Sequence, residues 1–254
     1  MAVSEARASD EERARRPLDP KRSGQVIVVG QKGTGKTELA DALFRSYPFT
    51  KLLVDINRDM KVTPDAIELP DPPPARWPAR ADLDRQLRTR LGRPPRHHTL
   101  VYRPDSGDPG YTTNLDRAIG VALGHEGRKC VFVDEAHDAF PASQMHRRPH
   151  ARRAVRHGRH YTLFLILATP RPMTITPLCL SQADWVYAFK LRSAADRRRV
   201  AENIGWELSD YDAANAELGE HEYLRYDSAA NGGAGELLIF PPLPAHLIQH
   251  HKDT

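Results

Sequence analysis

Apolar and polar positions along this chain fall into short alternating blocks. Residues 25–29 (QVIVV) form a compact, β-branched apolar run, the pattern of a buried strand. Residues 37–46 (TELADALFRS) then place Leu39, Ala42 and Leu43 at helical spacing. Further strands are predicted over 51–56 (KLLVDI), 98–102 (HTLVY), 129–133 (KCVFV), 161–168 (YTLFLILA) and 184–191 (DWVYAFKL), with late strands over 222–226 and 236–240. Helices are predicted over 81–91, over 114–123 before Gly124 and Gly127, and over 193–204. Residues 57–97 are rich in proline and arginine and read as an insertion or surface excursion around the helix at 81–91. Strands alternating with helices predict an α/β fold, a mainly parallel sheet covered by helices on both faces. No internal repeat or second core is evident, so residues 23–245 read as one domain.

Composition narrows this picture. With 254 residues, 40% hydrophobic and 28% charged, the chain suits a soluble globular class. No run of about 18 apolar residues is present, so no transmembrane helix is expected. Residues 1–22 are charged throughout, lack the apolar stretch of a secretion signal, and read as a loosely docked tail. Residues 246–254 read as a C-terminal tail. The two cysteines, Cys130 and Cys179, lie in apolar surroundings and read as buried free thiols of a reducing compartment, here the cytoplasm. Their number and spacing disfavour a thiol metal site.

The junction of first strand and first helix carries chemistry. Residues 30–37 read GQKGTGKT, the G-x-x-x-x-G-K-T pattern of a phosphate-binding loop, with a strand before it and a helix after it. Gly30, Gly33 and Gly35 permit a tight backbone, so that amide N–H groups of Gln31, Lys32 and Thr34 can turn inward to an anion. The helix that begins near Lys36 adds the positive end of its dipole. Lys36 is placed to reach the β and γ phosphates of ATP, and Thr37 to hold Mg²⁺ through its hydroxyl. Lys32 reads as a solvated neighbour of the γ phosphate.

A hydrolase of this kind needs a second site at the end of a neighbouring strand. Residues 131–135 (VFVDE) supply it, an apolar strand ending in two acids. Asp134 reads as the carboxylate on the metal side, and Glu135 as the base that orients and polarises the attacking water. The tetrapeptide Asp134-Glu135-Ala136-His137 also matches a group of RNA helicases. Those enzymes need a second RecA-like domain, which this length is not expected to hold, so His137 reads as a local loop or helix-start residue.

The net charge of +4 is modest, but its distribution is not. Residues 146–160 (HRRPHARRAVRHGRH) hold six arginines, four histidines and no acid. A solvated helix face normally mixes signs. An unmixed run next to a triphosphate site suggests either an arginine that reaches a neighbouring subunit's nucleotide or a surface that tracks a nucleic-acid backbone, with Arg147, Arg148, Arg152 and Arg153 as its contacts. No aromatic residues interleave, so base-independent contact is the expectation.

Residues 156–172 (RHGRHYTLFLILATPRP) resemble the corresponding segment of the HerA–FtsK superfamily of DNA-pumping ATPases, and the resemblance continues through residues 182–200 (QADWVYAFKLRSAADRRRV). Together with the phosphate loop and the acidic pair it spans roughly residues 23–205. It implies a P-loop NTPase of the RecA/ASCE type and a ring, usually hexameric, that moves double-stranded DNA through its centre with ATP and Mg²⁺. The small size resembles viral genome-packaging members and phage assembly ATPases similar to zonula occludens toxin. In this family an arginine of one subunit completes a neighbour's site. Arg156 and Arg159 are the first choices here, with Arg171 and Arg197 as alternatives.

One position departs from the family. Pro170 stands where a γ-phosphate-sensing glutamine usually follows the strand-end threonine, and its side chain cannot hydrogen-bond. Thr169 is then the candidate sensor. Two further functions compete with a DNA motor. A nucleotide-dependent assembly switch would need no DNA pumping, and a nucleotide kinase would use the arginine stretch as a lid.

Overall fold

The computed structural model describes residues 23–233 and 235–248, so the tail predicted over 1–22 and most of the one over 246–254 lie outside the described residues. Nine strands run β1 Gly24–Val29, β2 Thr50–Val54, β3 Ala66–Glu68, β4 Thr99–Tyr102, β5 Lys129–Val133, β6 Leu163–Thr169, β7 Trp185–Phe189, β8 Tyr223–Asp227 and β9 Glu236–Phe240. They form one sheet in the order β3-β4-β2-β5-β6-β1-β7-β8-β9. The strands from β3 to β7 in that order are parallel, and β8 and β9 close the edge antiparallel.

Eight α-helices accompany the sheet among the described residues: α1 Lys36–Ser46, α2 Arg80–Leu91, α3 Tyr111–Leu123, α4 Ala136–Ala139, α5 Pro149–His157, α6 Pro177–Ser181, α7 Ala194–Ile204 and α8 Leu208–Glu217. Strand periodicity divides the core between two faces. Val26 and Val28 of β1 pack with Leu39, Ala40, Leu43 and Phe44 of α1 on one face. Ile27 and Val29 face the other side, where α2, α3, α5, α7 and α8 contribute Leu87, Ile119, Ala154, Val200 and Tyr211. The parallel sheet with helices on both faces is the predicted one.

Local chemistry explains several boundaries. Ser193 caps α7, its hydroxyl accepting from the Asp196 amide at 3.3 Å, and Gly205 ends it with φ 73°. Helix α3 starts at Tyr111, three residues earlier than predicted, because Asp108 holds the preceding turn by accepting from the Gly110 amide at 2.6 Å. Several elements escape the sequence pattern, β3 and α8 among them. Strand β3 has three residues, too few for alternation to register. Helix α8 carries Leu208, Tyr211 and Ala214 among Asp210, Asp212 and Asn215, which dilutes its apolar stripe.

The segment 57–97 is built into the core rather than draped over it. Its strand β3 extends the sheet beyond β4, and Leu83 and Leu87 of α2 are fully buried. Asp71 fixes its proline-rich stretch, accepting from the Tyr102 hydroxyl at 2.8 Å and the Asp105 amide at 2.7 Å. Both cysteines are buried free thiols, and burial pushes their pKa values up. No helix among the described residues is long and apolar enough to cross a membrane.

Leu87→Ala should therefore lower stability by about 2–5 kcal/mol, the range for a large-to-small change in a packed core. Urea unfolding of the two proteins measures it. A loss below about 0.5 kcal/mol, typical of surface positions, would return this segment to a surface excursion.

Candidate active site

Parallel strands bring their carboxyl ends to one edge of the sheet, where ligands of open α/β folds bind. That edge gathers Gly30 after β1, Asp134 after β5, Thr169 at the end of β6, and the 55–60 loop after β2. Strand β6 pairs with β1 on one side and β5 on the other. The phosphate loop and the acidic pair are thus two strands apart, about 10 Å at the usual strand spacing. An inserted strand between these two motifs is the RecA/ASCE arrangement.

The loop adopts the required shape. Gly33 and Gly35 have φ of 83° and 96°, the left-handed region open to glycine. Gly30 serves a different need, close packing. A Cβ there would lie 2.7 Å from Thr34 Oγ1 and 2.8 Å from Phe189 Cβ. The Thr34 hydroxyl donates to the Gln31 carbonyl at 2.8 Å, which closes the turn. His221 reaches in from the loop before β8, with Nδ1 3.1 Å from the Thr34 carbonyl.

Lys36 is buried, and its ammonium lies 3.5 Å from Asp134 Oδ1 and donates to Thr37 Oγ1 at 3.2 Å. Asp134 is 2% exposed, so its charge is balanced inside the protein rather than by water. Its Oδ1 has no hydrogen-bond partner. A buried carboxylate oxygen without a donor, sharing the Lys36 ammonium with the Thr37 hydroxyl, suits a hard divalent cation shared with phosphate oxygens. Among the described residues no cluster of three or more His, Cys, Asp or Glu side chains forms an all-protein metal cage, and Mg²⁺ beside a triphosphate needs none.

Glu135 has φ 54° and ψ 50°, uncommon for a residue with a side chain. The turn takes its carboxylate off the line of β5. Oε1 accepts from Asn57 Nδ2 at 3.3 Å, and Oε2 lies 3.4 Å from His137 Nδ1 without a hydrogen bond. His137 is the second residue of α4, with Nε2 3.5 Å from Asp138 Oδ1, so it is placed as a helix-start residue beside Glu135. Two residues before Asn57, Asp55 is fully buried and anchors the 55–60 loop, accepting from Arg103 Nε at 2.9 Å and the Met60 amide at 3.3 Å. Burial pushes the Asp55 pKa up, against the pull of Arg103. Asn57 and His221 carry no signal in the sequence. Each acts through a contact between segments distant in sequence, and neither sits in a motif.

Thr169 is fully buried at the edge between the two motifs. Its carbonyl accepts from the Gly30 amide at 3.3 Å and its hydroxyl from the Arg171 amide at 3.2 Å. Pro170 leaves this pairing intact, since Arg171 supplies the amide.

The arginines divide. Arg147, Arg152 and Arg153 are exposed at the start of α5 and along it. Arg148 is corrected: it is 4% exposed, donates to the Thr112 and Asp138 carbonyls, and has no surface to offer a DNA backbone. Burial pulls its pKa down, with Asp116 and Asp138 opposing. Asp116 of α3 holds the start of α5 by accepting from the Ala151 amide at 2.8 Å and from His150 Nδ1 at 2.8 Å. Arg156 and Arg159 lie before β6, at the amino edge of the sheet. Six residues of β6, from Leu163 to Ala168, separate them from Thr169, about 20 Å at 3.3 Å per residue. Neither reaches the nucleotide edge of its own chain, and Arg159 pairs with Asp184. Arg197 is engaged with Asp212 at 2.6 Å and the Leu191 and Arg192 carbonyls. Arg171 is exposed at the nucleotide edge.

A family model described as an AAA domain matches residues 19–168, which include both the phosphate loop and the acidic pair. The chain belongs to the AAA-domain family. It is a P-loop ATPase of that family. The fold is shared with the genome-packaging NTPase B204 from Sulfolobus turreted icosahedral virus 2 in complex with AMPPCP, at 19% identity and TM-score 0.62, covering 89% of this chain and 100% of that one. VirB4 of Thermoanaerobacter pseudethanolicus has 12% identity and TM-score 0.57, covering 91% and 92%. The pCW3 conjugation coupling protein TcpA in its monomer form with ATPγS has 10% identity and TM-score 0.54, covering 88% of this chain and 61% of that one. These likenesses show a shared fold, and it is the fold that the sequence resemblance implied. A comparison with curated proteins finds no match.

For this AAA domain, Gly30→Ala tests the tight loop. The added Cβ must displace Thr34 or Phe189, so ATP affinity should fall at least tenfold in equilibrium titration. Unchanged affinity would mean that the loop can relax without losing its amide cradle.

Proposed function

We propose that this chain is the ATP-hydrolysing subunit of an oligomeric assembly that moves duplex DNA, as genome-packaging ATPases do. The observation that carries the DNA reading is the contrast among surface arginines. Arg45, Arg80, Arg85, Arg159 and Arg197 each pair with an aspartate. Arg147, Arg152, Arg153 and Arg156 form no ion pair among the described residues, although they cluster around one helix. Unbalanced charge of that density suits a polyanion bound through its phosphates. The fold shared with the viral packaging NTPase supports the same reading.

In the hydrolytic step, Glu135 accepts a proton from water as the water oxygen attacks the γ phosphorus in line with the leaving ADP oxygen. Lys36 and the loop amides neutralise the charge that develops on the phosphoryl oxygens. Mg²⁺, held by Thr37 and through Asp134, would add Lewis-acid stabilisation of the same oxygens. The Thr169 hydroxyl reports the γ phosphate to β6. Arg171 is placed on the nucleotide edge, whereas Arg156 can act only on a neighbouring subunit's nucleotide.

Glu135→Gln should cut ATP turnover by about 10²–10⁴-fold while ATP binding remains, the usual worth of a general base. Duplex DNA should raise wild-type turnover, and Arg152→Glu with Arg153→Glu should abolish that stimulation at unchanged basal rate. The nucleotide-dependent assembly switch, favoured by Pro170 at the sensor position, expects no response to DNA in any of these proteins. That outcome would replace the motor reading.

A further inference from the structure

A cavity of about 620 Å³ opens at the amino edge of the sheet, away from the phosphate loop, below the starts of β2, β4 and β5. Its size falls within the range of small-molecule sites. One wall is a pair of rings, Trp77 and His125, with centroids 4.7 Å apart and planes 38° from parallel. A second wall sets His97 edge-on to Phe49 at 5.4 Å. The Arg128 guanidinium lies 5.4 Å from the Phe49 ring centre.

The rim is strongly basic. Arg76, Arg80, Arg96 and Arg128 line the cavity against a single acid, Glu126. Arg80 shares its charge with Asp84. Arg76 and Arg96 are exposed and form no hydrogen bond or ion pair among the described residues. The wall formed by residues 124–128 is held in place. The Lys129 ammonium donates to the His125 and Gly127 carbonyls, and the Thr162 hydroxyl donates to Gly127 at 2.7 Å. Burial, helped by Lys129, pushes the His125 pKa down to about 4, and burial with Arg96 and Arg80 lowers that of His97. Both rings are therefore neutral stacking surfaces at neutral pH.

We propose that this cavity is a second nucleotide site, which takes the base of a nucleoside monophosphate unit against Trp77 and His125 and its phosphate on Arg76 and Arg96. Flat apolar rings beside unpaired guanidinium groups match a ligand that joins an aromatic base to an anion. A duplex cannot supply such a base, so the unit comes from a single strand or a free nucleotide. The site lies at the opposite edge from Lys36 and stands whether or not the protein pumps DNA.

The test is tryptophan fluorescence with Mg²⁺ and saturating ATPγS filling the phosphate loop. Either dTMP or the tetranucleotide dT4 should quench the wild-type protein. Trp77→Phe should remove the quench. Arg76→Glu with Arg96→Glu should weaken binding at least tenfold, with basal ATP turnover unchanged. Tighter binding of dT4 than of dTMP assigns the site to a strand, and equal binding assigns it to free nucleotide. No quench by either ligand, a quench that survives Trp77→Phe, or affinity unaffected by the arginine reversals would overturn the proposal.

Discussion

The buried pair of Lys36 and Asp134 is the constraint around which this fold is arranged. The two residues belong to different motifs, and β6 stands between the strands that carry them. A charge left alone at either position would cost several kcal/mol, so each requires the other in place. Their meeting at 3.5 Å fixes how β1, β6 and β5 must be registered at the carboxyl edge. The Thr37 hydroxyl, close to the lysine, and Glu135, next to the aspartate, are then positioned by the same contact.

Much of this was legible from residues in order. The strand, glycine loop and helix at 24–46 are a local pattern, and local patterns survive folding. The VFVDE strand end is likewise local, as is the apolar run of β6. What escaped was non-local or weakly patterned. Asn57 lies in a proline- and arginine-rich stretch with no periodicity, and only the pairing of β2 with β5 brings it to Glu135. Arg148 is one of six arginines in an unbroken basic run, and nothing in that run distinguishes the one that turns inward. Its burial follows from the packing of α5 on α3, where the Thr112 carbonyl accepts its guanidinium. The segment 57–97 looked peripheral because prolines dominate its composition, while the core contribution of Leu83 and Leu87 depends on two positions of one short helix.

The two edges of the sheet have different chemistry. The carboxyl edge concentrates carboxylates, the glycine loop and buried ion pairs, suited to a triphosphate and a divalent cation. The amino edge concentrates arginine and histidine with aromatic rings. Parallel strands make this segregation natural, since every strand delivers its start to one side and its end to the other.

Helix α5 shows what such an arrangement implies mechanically. Asp116 ties its first backbone amides to α3, and α3 packs on β5, whose end carries Asp134 and Glu135. The arginine face is thus mounted on a stiff bracket instead of a swinging arm. A load applied to those arginines is carried into the strand that ends at Asp134 and Glu135, with no slack linker to absorb it.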